Sequence, residues 1–260
     1  MPLAALVLIF FLGLCAGSFL NVLIHRLPLE ISVVRPGSRC PRCQAPIAFY
    51  DNIPVLSYIL LGARCRRCRE PISLRYPLVE LLTGGLFAGL AYRWDGLWLW
   101  IAAVLLAASA LIALSFIDLD TFTIPDALSL GLAGLGLLSS AINPYFSGPW
   151  SARLLQCLAG ALTGFLLTWA TAVLGEKIFK KEALGGGDIK LLTGIGALTG
   201  WTGAITTLAT ACLFGSIYGV VLMSRRRLKR YDPVPFGPFL SLGALINLFY
   251  LIPLQLFVLF

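Results

Sequence analysis

Two sets of residues in this sequence could do chemistry: acidic residues beside apolar runs, and cysteines in pairs. Asp188 follows Gly185, Gly186 and Gly187 in the stretch Leu184 to Leu192, just ahead of an apolar segment. Three glycines strip the side chains from the approach to this carboxylate and leave room for another backbone to pass close by. The plain alternative is that the glycines break a loop and Asp188 N-caps the helix that follows. A second acidic group, Asp118, Asp120 and Asp126, lies at the end of another apolar run. Pro125 suits the first turn of a helix, so Asp126 is expected to begin one. Asp120 reads as a solvated turn residue and Asp118 as a carboxylate held at the boundary of the apolar run.

Two carboxylates brought together share a proton, and such a pair suits peptide hydrolysis. The ionised member takes a proton from water, while the protonated member polarises the scissile carbonyl and helps the amine leave. No nucleophilic serine, no cysteine and no catalytic metal is required. Other hydrolytic arrangements fit poorly. His25 is the only histidine, which excludes a His-Glu-x-x-His metalloprotease. Ser18 and His25 stand two helical turns apart, about 10 Å, too far for a nucleophile–base hydrogen bond. There is no Gly-x-Ser-x-Gly elbow.

The cysteines give the other signal. Cys40 and Cys43, then Cys65 and Cys68, form two Cys-x-x-Cys knuckles separated by the 21 residues from Gln44 to Arg64. This is the spacing of a tetrathiolate zinc site, in which each knuckle supplies two thiolates. A closed four-sulfur site is structural: zinc would fold a segment of about 50 residues that is too small to be safe on its core alone. Redox pairs or an empty thiol cluster are the alternatives. Cys15, Cys157 and Cys212 lie in apolar runs and read as packing residues.

These residues need a framework, and composition fixes its solvent. With 58% apolar and 12% charged residues, the chain departs from soluble domains, which average about half apolar and a quarter charged. It reads as an all-α polytopic membrane protein of about eight transmembrane helices, with a small cytoplasmic zinc-binding insertion after the first. The run Leu3 to Ile24 has no charge and can cross a core of ~30 Å. Arginines follow it where a secretory signal would have them before, and no short polar cleavage region appears. Further spans are drawn at 77–92, 97–117, 127–142, 152–174, 189–201, 202–223 and 238–259, of which 189–201 is short for a full crossing. On the first helix, Gly13 and Gly17 predict close helix packing, and Asn21 a hydrogen bond to a neighbour.

Basic residues set the orientation. Nine arginines lie between Arg26 and Arg75, four lysines between Lys177 and Lys190, and five basic residues between Arg225 and Arg230. With the N-terminus outside and eight helices alternating, all three groups face the cytoplasm and both termini are external. Asp118 and Asp188 then share the cytoplasmic side. The net charge of +8 reflects topology and contact with anionic lipid, with no need for nucleic acid. Glu80, near the start of the second span, should face protein or water and find a partner, with Arg75 or Lys190 as the expected ones.

The order of these motifs resembles the type IV prepilin peptidases, also called prepilin leader peptidase/N-methyltransferases, among the membrane-embedded Gly-x-Gly-Asp aspartic proteases. The resemblance covers nearly the whole chain. Its marks are Gly17-Ser-Phe-Leu-Asn-Val-Leu-Ile-His-Arg-Leu-Pro28, the paired knuckles with Asp51-Asn-Ile-Pro-Val-Leu-Ser-Tyr58 between them, Arg75-Tyr-Pro-Leu-Val-Glu80, Phe116-Ile-Asp-Leu-Asp120 with Ile124-Pro-Asp126, and Gly185-Gly-Gly-Asp-Ile-Lys190. His25 departs from the pattern, where an aromatic is expected.

What the resemblance implies is specific. Asp118 and Asp188 would be the catalytic pair, with Gly185, Gly186, Gly187, Lys190 and Glu80 supporting them or lining the approach of substrate. The substrates would be prepilins or pseudopilins of type IV pilus and type II secretion systems, cut after a glycine at the cytoplasmic face of the bacterial inner membrane. Cys40, Cys43, Cys65 and Cys68 would hold structural zinc, and S-adenosylmethionine would methylate the new N-terminus. The domains would be the first transmembrane helix (1–25), a cytoplasmic zinc domain associated with methylation (26–76) and a transmembrane aspartic peptidase domain (77–260). The insertion lacks a Gly-x-Gly-x-x-Gly signature and is too short for a Rossmann-like domain, so the donor site is unassigned. Two other classes compete: an assembly factor whose zinc knuckles dock a partner and whose aspartates only cap helices, and a transporter with an acidic cation path, against which the lack of internal repeats speaks.

Overall fold

A computed structural model describes residues 1–180, 184–225 and 233–258. Lys181 and the basic residues from Arg226 to Arg230 lie outside the described residues. The regular structure of the described residues is helical apart from two isolated bridges, and the chain forms two compact units, Met1–Ala113 and Leu114–Phe260.

In the first unit, α1 (Leu3–Arg26) packs against α3 (Arg75–Arg93). Glycines permit the close approach. A side chain at Gly13 would strike the Gly84 backbone and Phe87, and one at Gly17 would strike the backbone of Val79 and Glu80. Asn21, buried lower on the same face, donates to the Tyr76 carbonyl at 3.1 Å. Between these helices runs a segment with little regular structure beyond a short α2 (Leu56–Leu60). The α4 helix (Trp98–Thr121) follows, and the boundary between the units falls within it.

The second unit continues with α5 (Asp126–Ser139), α6 (Trp150–Phe179), α7 (Gly186–Ser224) and α8 (Gly237–Phe249), then a short α9 (Gln255–Val258). Helices α6 and α7 meet through Gly160 and Gly196, whose backbones are so close that neither position has space for a side chain. Such small-residue contacts are how helices associate where the solvent is itself apolar. Outward-facing Leu155, Leu162, Phe165 and Trp169 of α6 are exposed, which is the expected state of a surface solvated by lipid and a costly one in water.

Helix α7 departs from helical geometry at Gly200, with φ 73° and ψ −178°. Only glycine holds that conformation at acceptable cost. The break divides α7 close to where the sequence divides its sixth and seventh spans. The buried Asn143 side chain satisfies the Leu198 carbonyl at 2.7 Å, and Asn247 bonds Thr206, Thr207 and the Gly203 carbonyl.

Among the described residues, four helices are long and apolar enough to cross a membrane: Leu3–Leu29, Trp98–Thr121, Trp150–Ile178 and Gly186–Ser224. The apolar helices α5 and α8 are shorter. The last drawn span, 238–259, is not one helix. Tyr250 is extended, Asn247 Oδ1 captures the Ile252 N–H at 2.9 Å, and Pro253 follows, so the chain leaves the helix after Phe249.

Candidate active site and metal centre

Asp118 stands in the last turn of α4, 5% exposed, with Asp120 exposed two residues on. The helix therefore runs further than the turn expected at Asp120. It ends where the Phe122 N–H bonds the Asp118 carbonyl at 3.0 Å and Phe122 itself takes a left-handed φ of 54°. Pro125 then caps α5, which begins at Asp126. One oxygen of Asp118, Oδ2, accepts the backbone N–H of Gly237 at 2.8 Å. Gly237 is the first residue of α8, so Asp118 meets unsatisfied N–H groups at a helix N-terminus, a favourable place for a carboxylate.

Asp188 is not the N-cap of α7. Gly185 occupies that position, and Asp188 is the third helical residue. Its N–H donates to the Gly185 carbonyl at 3.1 Å while its carboxylate takes the Gly185 N–H in return, a reciprocal capping arrangement. That uses one oxygen. The other, Oδ1, is buried and has no hydrogen-bond partner among the described residues, and the residue is 8% exposed. Asp118 lies near enough for its charge to act on Asp188.

The three glycines have different tasks. Among the described residues nothing lies near the position a Cβ on Gly186 would take, whereas a Cβ on Gly187 would sit 2.7 Å from the Ile124 Cβ. Gly187 thus lets the α4–α5 loop seat against the start of α7. Lys190 pins the same junction, its Nζ 2.7 and 2.8 Å from the two Asp126 carboxylate oxygens.

In the first unit, both knuckles fold alike. Cys40 N–H bonds the Ala45 carbonyl and Gln44 N–H returns to Cys40, and Cys65 with Glu70 and Arg69 with Cys65 repeat this one knuckle later. The bridges Arg39–Pro46 and Arg64–Pro71 close the two loops. All four Sγ atoms lie within 4.8 Å of one another, with Cys40 and Cys68 3.8 Å apart. Sulfurs around a tetrahedral zinc are about 3.8 Å apart, so the four thiols fit one ion. Backbone N–H groups of Cys68 and Arg67 pull the Cys65 thiol down to about 6, favouring the thiolate a metal needs.

Glu80 is 7% exposed on α3. It finds its partners inside the first unit: Oε2 accepts the Val55 N–H at 2.7 Å, and the Ser18 hydroxyl also bonds the carboxylate. Lys190, one of its expected partners, serves Asp126 instead.

Residues 11–94 match the bacterial peptidase A24 N-terminal domain, and residues 105–220 match the type IV leader peptidase family. A prepilin leader peptidase/N-methyltransferase of Aeromonas salmonicida is 37% identical over 93% of this chain and 89% of its own. The chain belongs to the type IV leader peptidase family. Similar proteins of the same name are found in Myxococcus xanthus, 44% identical over 85% of this chain and 64% of the relative, and in Pseudomonas aeruginosa, 36% identical over 95% and 91%. No solved structure gives a significant match. The first matched segment contains the four cysteines and Glu80, and the second contains Asp118 and Asp188.

Sequence reasoning missed one residue that contacts the candidate aspartate site. Gly237 lies beyond the second matched segment, 119 residues from the aspartate it contacts. Its signal was the run Pro235-Phe-Gly-Pro238, where a glycine before a proline can open a helix.

Proposed function

We propose that this protein is a membrane-embedded aspartic endopeptidase that removes the short basic leader of type IV prepilins or pseudopilins after a glycine, with Asp118 and Asp188 as its catalytic pair. The observation that carries this reading is the buried Asp188 Oδ1, which has no partner among the described residues, beside a second buried carboxylate. An unmade hydrogen bond at a buried polar atom is costly, and a water or scissile carbonyl would make it.

The two carboxyls share one proton. The ionised member removes a proton from the attacking water as the oxygen adds to the scissile carbonyl. The protonated member gives its proton to the carbonyl oxygen, and collapse of the tetrahedral species sends a proton to the departing amine. Gly237 N–H fixes Asp118 from one side and the Gly185 cap fixes Asp188 from the other, so both are held in place before substrate arrives. Among the described residues nothing crowds Gly186, which leaves an extended peptide a way in.

The proposal includes eight crossings, counting the two halves of α7 separately, with the aspartates and the zinc segment at the cytoplasmic face of the inner membrane and both termini external. The basic residues around the knuckles support that sidedness. Zinc, held by Cys40, Cys43, Cys65 and Cys68, would supply folding energy to the segment and no chemistry. S-adenosylmethionine is the donor for methylation of the new N-terminus, in keeping with the second half of the relatives' name.

Co-expression with a pilin precursor tests the pair. Asp118→Asn and Asp188→Asn are each expected to abolish leader loss at unchanged membrane levels, and wild type to give a mature chain ~14 Da heavier than the unmethylated one. Cleavage by either Asn variant at the wild-type rate would reject the pair.

A further inference from the structure

We propose that the methyl donor binds in the groove of the first unit between the C-terminal half of α1 and the knuckle segment, with Glu80 at its floor. This rests on the methyltransferase reading and assigns that activity a place. The groove has a volume of about 960 Å³, and its lining includes Asn21, Tyr58, Arg67, Tyr76 and Glu80, with Cys40 and Cys65 in its wall. Ligand pockets run to roughly 300–1,000 Å³, so this one has room for a nucleoside donor together with the end of an acceptor chain.

The chemistry of the lining matches the donor part by part. S-adenosylmethionine carries a sulfonium cation, an adenine ring and an amino-acid carboxylate. Glu80 is buried, and its described partners, the Val55 N–H and the Ser18 hydroxyl, are both neutral. A buried carboxylate without a cationic partner is costly, and a sulfonium in the groove supplies the missing charge. Tyr58 and Tyr76 offer ring faces to adenine, and Arg67 offers a guanidinium to the donor carboxylate. In the transfer, the neutral N-terminal amine, its ammonium proton already lost to solvent, attacks the methyl carbon. An N–C bond forms, the C–S bond breaks, and its electron pair leaves the sulfur as a neutral thioether.

Backbone strain marks the same place. Val55 lines the groove and is a β-branched residue at φ 61°, ψ −47°, where its N–H points to Glu80. Such conformations persist where surrounding structure over-determines them, and they gather at ligand sites. Because two metal-binding cysteines stand in the wall, loss of zinc would dismantle the groove.

The test uses the full-length, zinc-loaded protein in detergent. Irradiation with 8-azido-S-adenosylmethionine, followed by peptide mapping, is expected to label peptides spanning Ser18–Arg26, Tyr50–Tyr58 or Tyr76–Glu80, with label displaced by unmodified donor. Glu80→Gln keeps the acceptor for Val55 and removes the charge, and is expected to weaken donor binding at least tenfold by equilibrium dialysis at unchanged zinc content. Displaceable label confined to residues beyond 113, or Glu80→Gln binding as tightly as wild type, would overturn the site. A wild type that neither binds donor nor yields methylated product would instead sink the methyltransferase reading, a distinct result.

Discussion

The backbone N–H of Gly237 donates to Asp118 Oδ2 across 2.8 Å, joining the first residue of α8 to the last turn of α4. The contact requires a glycine. A Cβ at this position would stand 2.9 Å from Oδ2 and 3.2 Å from the Asp118 Cγ. Gly237→Ala must therefore displace the carboxyl or the helix end. Displacements approaching 1 Å cost catalysis on the order of 100-fold, and a fall of that size in the rate of leader loss is expected, with little change in membrane abundance. Near wild-type turnover would show that this hydrogen bond does not position Asp118.

Gly186 and Gly187 separate packing from access. Ala at Gly187 would drive its Cβ into Ile124, whereas Ala at Gly186 meets nothing within 4 Å among the described residues. Overpacking of this kind costs about 1–3 kcal/mol, and here the cost falls on the junction that carries Asp188. Gly187→Ala should lower both the thermal midpoint and the cleavage rate, while Gly186→Ala should leave the midpoint in place. Equal effects on stability from the two substitutions would contradict the assignment of Gly187 to packing.

The knuckles were legible because their chemistry is local. Each Cys-x-x-Cys pair builds its own loop, and the repeat in sequence becomes a repeat in hydrogen bonds. Asp118 and Asp188 were legible as candidates, since carboxylates at the ends of apolar runs are rare and expensive. Their partners were not legible. The Gly237 contact closes over 119 residues, and no periodicity announces which backbone N–H will arrive. Capping chemistry misplaced Asp188 by three residues because a glycine can N-cap without any side chain. The shortening of the final span depends on Asn247, whose side chain bonds both Gly203 of α7, just past the break, and Ile252. Hydropathy has no way to see that exchange.

Removal of zinc should act on the first unit. Exchange of Cys40 and Cys43 for serine, or dialysis against a strong chelator, is expected to expose residues 27–74 to limited proteolysis and to abolish donor binding and methylation together. Metal content should fall from one zinc per chain to none. The Cys65 thiol, held at about 6 by backbone N–H groups, is largely thiolate at neutral pH and protonated below that value. Protons compete with metal for the sulfurs, and zinc retention should weaken as the pH falls. Full retention well below pH 5 in a chelator challenge would mean that this thiol contributes little to binding.

Lys190 and Asp126 give the last test, because the pair has two possible roles with different arithmetic. Both side chains are well exposed, at 44% and 58%, and an exposed ion pair contributes at most about 1 kcal/mol to stability. Its position matters more, since it ties the first residue of α5 to α7 two residues beyond Asp188. If the pair only holds that junction, Lys190→Met and Asp126→Asn should each slow cleavage several-fold, and the double variant should be no slower than either. A non-additive cycle of this kind is the signature of a direct interaction. If Lys190 instead touches the substrate, Lys190→Met should cost more than Asp126→Asn and the effects should add. Salt provides an independent check: with a Debye length of about 3 Å at 1 M, high ionic strength should slow wild type towards the variants and leave the double variant unmoved.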